Sequence, residues 1–201
     1  MNTSRLEAFS DGVIAILITI MVLELHVPHG TTLDALTPLI PVLASYTLSF
    51  VYLGIYWNNH HHMLRATKRV TGAVQWANLH LLFWLSLVPF STAWMGENHF
   101  AATPTAVYGT IMLMAAVAYF ILQGRIIKGD GPDSVLARAI GSDWKGKLSL
   151  IFYLIAVPAA FFNQWISQGL YVTVAVMWLV PDQRIERVIP DEIGDSRTKR
   201  V

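Results

Sequence analysis

The chain has 201 residues, of which 54% are hydrophobic and 13% charged, where a soluble domain carries roughly a quarter charged residues. The net charge is only +1, so the placement of the charges says more than their sum. There is no cysteine, which excludes a disulfide framework and a thiolate metal site.

A membrane helix needs about 20 mostly apolar residues, and the sequence predicts six in one domain spanning 1–201. The first runs from about Glu7 to Val27. Its leading segment sets Glu7 and Asp11 against Arg5, and no small-x-small site follows ELHVPHG, so it reads as a retained helix and not a cleaved signal. The second runs from Leu36 to about His61, the third from Val74 to Met95, and the fourth from Ala106 to Ile126. The glycine-rich connection KGDGPDSVLARAIGSDWKGK follows, with a short amphipathic surface helix expected in it. The fifth span covers Leu148 to Asn163 and the sixth Trp165 to Val180, with a tight turn in FFNQWISQG. A polar tail is expected from about 181 to 201.

Lys and Arg favour the cytoplasmic side of short loops. All 14 lie at the N-terminus (Arg5), in the second loop (Arg65, Lys68, Arg69), in the fourth (Arg125, Lys128, Arg138, Lys145, Lys147) or in the tail. The other three connections, HVPHGTTLD, GENHFAATPT and NQWISQ, hold none. Six spans with both termini cytoplasmic satisfy every charge; five or seven break the alternation.

A turn of about 100° per residue places Gly12, Ile16, Thr19, Leu23 and Val27 on one stripe of the first helix, apolar but for one hydroxyl. Asp11 falls about 140° away. An ionised group facing lipid is costly, so Asp11 is expected to face neighbouring helices, and Ser10 and Asp11 are also available to the amides of the helix start. On spacing alone the stripe reads as lipid or bundle contact.

Arg5-x-x-x-Phe9-Ser10-Asp11, then Ala15-Ile16 and Thr19, resembles the signature of the transmembrane protein 175 family of potassium channels. Trp57-x-x-His60-His61, Trp76-x-Asn78 and Pro89-Phe90 resemble the family in the same order. The likeness covers the first half; the second half matches in hydropathy. It implies an all-α prokaryotic membrane protein, six helices per subunit, assembled as a homotetramer with the first helix lining a central pore. Members from animal lysosomes carry two such units per chain. By this likeness Ile16 occupies the principal hydrophobic constriction, with Thr19 and Leu23 as further layers, and permeant potassium passes near Ile16 and Thr19. Ala15 departs from members with a small hydroxyl residue there.

There is no TVGYG loop of the kind that supplies a carbonyl filter, so selectivity would rest on side chains and be moderate. Arg5, Phe9, Ser10 and Asp11 are expected to lock the first helix through Trp57, His60, His61 and Asn78. The NNHHH run at 58–62 invites a metal, yet adjacent helical residues point about 100° apart and are expected to pack; no metal and no cofactor is expected. A haem between His80 and His60 or His61 has no other support. His60 and His61 are candidates for a pH response. Trp57, Trp76 and Trp94 suit membrane edges, Trp84 and Trp178 suit packing, and Pro89 and Pro158 suit kinks. Glu24 and Asp34 form at most a weak acidic vestibule. No nucleophile–base pair, phosphate loop or paired carboxylate marks an enzyme, and no nucleic-acid partner is expected. The expected function is a potassium-permeable channel in the inner membrane of a prokaryote; the alternatives are a secondary proton- or cation-coupled transporter and, further off, a redox or lipid enzyme.

Overall fold

A computed structural model describes residues 2–141 and 143–179, and within them every regular element is helical. α1 spans Thr3–Leu23. A 3-10 helix, Leu33–Leu39, leads into α2, Ile40–Arg65. α3, Gly72–Ser86, and α4, Val88–Glu97, are two parts of one rod broken at Leu87. α5 spans Ala102–Asp130, α6 Val135–Ile140, α7 Trp144–Ala159 and α8 Gln164–Leu179. The tail expected after Pro181 lies outside the described residues.

Several boundaries differ from the sequence reading for identifiable reasons. α1 starts four residues early because Asn2 caps it: its Oδ1 accepts from the backbone N–H of Arg5 at 3.0 Å. Ser10 and Asp11 therefore lie in the helix interior and cap nothing; the Ser10 hydroxyl donates to the Leu6 carbonyl at 2.9 Å. The third span is interrupted where Pro89 occupies the first turn of α4, since proline cannot donate in a continuing helix. The expected turn in FFNQWISQG shrinks to Ala160–Asn163, because α8 already begins at Gln164. The short helix expected in the charged connection is α6.

Among the described residues, four stretches are long and apolar enough to cross a membrane: Thr3–Leu23, Leu33–Arg65, Gly72–Glu97 and Ala102–Asp130. α7 has 16 residues, about 24 Å at 1.5 Å per residue, against a hydrocarbon core of about 30 Å; α8 is described over 16 residues, to Leu179. They form a hairpin packed on α5.

α5 is the centre of the bundle, lying against α3, α4, α7 and α8, while α1 sits at the edge on α2, α3 and α4. Tyr52, Tyr108, Tyr153 and Tyr171 fill the core. A buried phenol needs a hydrogen-bond partner. Tyr52 donates to the Tyr171 carbonyl at 2.6 Å, Tyr171 to the Thr105 carbonyl at 3.0 Å, and Tyr108 accepts from Ser49 at 3.2 Å. Small residues let the helices approach. A Cβ on Gly96 would stand 2.8 Å from the backbone of Val42, and one on Gly109 would collide with the Tyr171 hydroxyl.

Candidate functional site

The edge position of α1 gives it two faces. Leu6, Ser10, Ile14, Leu17 and Met21 recur at three- and four-residue spacing and are buried against the bundle. On the other side Gly12, Ile16, Thr19 and Leu23 are exposed, Ile16 by 57% and Leu23 by 80%. The stripe read from the helical wheel thus points off the subunit as a continuous apolar surface. The Thr19 hydroxyl within it donates to the Ile16 carbonyl at 2.8 Å. That bond uses its hydrogen and leaves the oxygen lone pairs turned outward as acceptors.

Behind the stripe, three polar contacts tie α1 to its neighbours. In the first, Asn78 on α3 donates through Nδ2 to Ser10 Oγ at 2.9 Å, and its Oδ1 lies 2.6 Å from His60 Nε2 on α2. All three residues are fully buried. Because the Asn78 amide nitrogen is spent on Ser10, its oxygen must accept, so His60 carries its proton on Nε2. His60 Nδ1 is left buried without a hydrogen bond among the described residues. In the second contact, the Trp57 indole N–H donates to Asp11 Oδ1 at 3.1 Å. In the third, Nδ1 of His61 lies 2.7 Å from Oε1 of Glu7.

The sequence reading gathered Trp57, His60, His61 and Asn78 around Asp11. Of these, Trp57 meets Asp11, while Asn78 meets Ser10 and in turn His60. Arg5 is exposed and Phe9 is 52% exposed, so neither enters the buried network. Glu7, not among the residues expected in the lock, stands four residues before Asp11, one turn away on the same face. The three histidines do not converge; His60 turns to Asn78 and His61 to Glu7.

Toward the other end of α1, a groove of about 500 Å³ between α1 and α4 is lined by Ile20, Glu24, Phe90, Trp94 and Glu97. Glu24 shares this groove with a second carboxylate, Glu97. Trp84 and Trp178 each donate inside the bundle, to His80 Nε2 at 2.9 Å and Ser149 Oγ at 2.8 Å.

The profile described as "Endosomal/lysosomal potassium channel TMEM175" matches residues 5–89. A potassium channel of Chryseobacterium sp. (strain P1-3) is 51% identical over 191 residues, covering 95% of this chain and 100% of its own length. The chain belongs to the TMEM175 family. A crystal structure of a lysosomal potassium-selective channel TMEM175 homolog from Chamaesiphon minutus superposes with a TM-score of 0.77 at 30% identity, over 90% of this chain and 97% of that one. The endosomal/lysosomal proton channel TMEM175 of Gallus gallus is 28% identical over 132 residues, 60% of this chain and 26% of its own length. This TMEM175-family chain is a multi-pass membrane protein, and its likeness to the Chryseobacterium relative runs well beyond the first half to which the motifs are confined. Every residue of the stripe and of the three contacts behind it falls within the profile match, 5–89.

Proposed function

We propose that this TMEM175-family chain forms a potassium-permeable, moderately selective cation channel: a homotetramer in which α1 of each subunit lines one pore. The observation that carries the reading is the outward face of α1, where Ile16, Thr19 and Leu23 form an exposed apolar stripe on the helix whose opposite face is anchored in the bundle. An aliphatic stripe with one hydroxyl suits a narrow conduit. Rings of Ile16 and Leu23 form a neck that can gate by dewetting. An ion passing it sheds part of its water, which potassium gives up more readily than sodium, and Thr19 oxygens replace part of that shell. Potassium itself is suggested by the printed names of the relatives.

In the membrane of a prokaryotic cell we place both termini on the cytoplasmic side, following the alternation of Lys and Arg. This requires α7 and α8 to cross as well. The shortfall of α7 is of the order that bilayer thinning and snorkelling of flanking residues accommodate. The reading as a secondary transporter draws no support from the relatives.

The test is reconstitution of purified protein in planar bilayers with opposed potassium and sodium gradients. Currents reversing toward the potassium potential are expected, and Ile16→Asn lowers the permeability ratio. Silent bilayers count against the channel; an unchanged ratio counts against Ile16 as the filter.

A further inference from the structure

The third contact behind the stripe has a chemistry that locking α1 does not require. Glu7 and Asp11 project from successive turns of α1 toward His61 of α2, and one ligand atom from each lies within 4.8 Å of the other two. We infer that Glu7, Asp11 and His61 form a binding site for one divalent transition-metal ion of the zinc class, at the end of the bundle that carries Arg5 and Arg65.

Four observations support the assignment. His61 Nδ1 is sealed from solvent and stands 2.7 Å from Glu7 Oε1, yet the two are out of line and Nδ1 makes no hydrogen bond among the described residues. Two ligands of one tetrahedral ion stand about 3.4 Å apart, so this unaligned pair opens by about 0.7 Å when an ion enters between them. The second is distance. Tetrahedral bonds of about 2.1 Å hold two ligands about 3.4 Å apart, so a pair at the 4.8 Å limit draws in by about 1.4 Å. The third is orientation by neighbours. Metal ligands are commonly fixed by outer partners, and Trp57 serves two of them: its indole N–H holds Asp11 Oδ1 at 3.1 Å, and its ring stacks on His61 with an interplanar angle of 27°. The fourth is access. Side chains of His61 and Glu7 are 29% and 21% exposed, so an ion reaches the sealed Nδ1 from water once the Glu7 carboxylate swings aside.

The donor set fixes the ligand class. One imidazole with two carboxylates suits zinc, nickel or iron(II), whereas calcium and magnesium take oxygen ligands. A dication also offsets the repulsion between two carboxylates one turn apart. When bound, it cross-links α1 to α2 beside the hydrogen bonds that tie α1 to α3. The assignment does not depend on ion conduction.

The experiment measures zinc on purified, chelator-stripped full chain by equilibrium dialysis and elemental analysis. One ion per chain is expected, bound about tenfold or more weakly in Glu7→Gln and in His61→Gln, unchanged in His26→Gln, and not displaced by excess magnesium. Zinc-edge X-ray absorption of the wild-type complex, which depends on no variant, is expected to show one nitrogen ligand among oxygens. Absence of binding, wild-type affinity in both variants, loss of the ion in His26→Gln, displacement by magnesium, or a shell of several nitrogens overturns the assignment.

Discussion

Asn78 Nδ2 donates to Ser10 Oγ across 2.9 Å, joining α3 to α1 through two fully buried side chains. The bond sits about 120° around α1 from Ile16, on its buried face. It therefore fixes the rotation of the helix: turning Ile16 toward the bundle would pull Ser10 away from Asn78 and leave the buried Asn78 Nδ2 without its acceptor.

Asn78→Ala strands the His60 Nε2–H and takes the amide from Ser10. A buried polar group left unpaired costs about 1–3 kcal/mol, so Asn78→Ala is expected to lower the thermal midpoint in detergent more than Ser10→Ala, which strands one amide hydrogen. Equal midpoints for the two variants would show that His60 finds another partner.

Asp11→Ala leaves the Trp57 indole N–H without its acceptor, while Asp11→Asn keeps an oxygen in the same place. Hydrogen bonds between membrane helices average about 0.6 kcal/mol and reach about 1.7. The alanine variant is expected to reduce the yield of assembled protein by size exclusion, the asparagine variant to restore most of it, and neither to shift the potassium-to-sodium ratio as far as Ile16→Asn.

Gly109→Ala sets a methyl group against the Tyr171 hydroxyl and 2.7 Å from its ring Cζ. Overpacking of this kind costs about 1–3 kcal/mol. Removing the hydroxyl relieves part of it, so Gly109→Ala with Tyr171→Phe is expected to melt above Gly109→Ala alone, although Tyr171→Phe by itself loses the bond to the Thr105 carbonyl. Additive effects in this cycle would mean that the helices separate instead of clashing.

Thr19→Val keeps the shape of the side chain and removes the outward oxygen. With the channel reconstituted, it is expected to lower the potassium-to-sodium ratio without closing the pore, because the Ile16 ring is unchanged. A ratio equal to wild type in single-channel recordings would leave the apolar neck as the sole source of selectivity.

What the sequence determined by itself is periodic or compositional. Twenty-residue apolar runs mark α1, α2, the α3–α4 rod and α5, because lipid admits no unpaired backbone. A period of 3.6 residues suffices to put Ile16, Thr19 and Leu23 on one side of α1, since that angle is fixed within a single helix. Tertiary structure decided what depends on distances between helices. Whether Asn78 bonds Ser10 or Asp11 is a matter of where α3 crosses α1, and those two residues are adjacent in the chain but about 100° apart around it. Only the crossing of α2 brings His61 to Glu7, 54 positions away, and only packing makes Gly96 and Gly109 indispensable. A linear pattern specifies which way a side chain leaves its own helix; what it meets there is set by the docking of another.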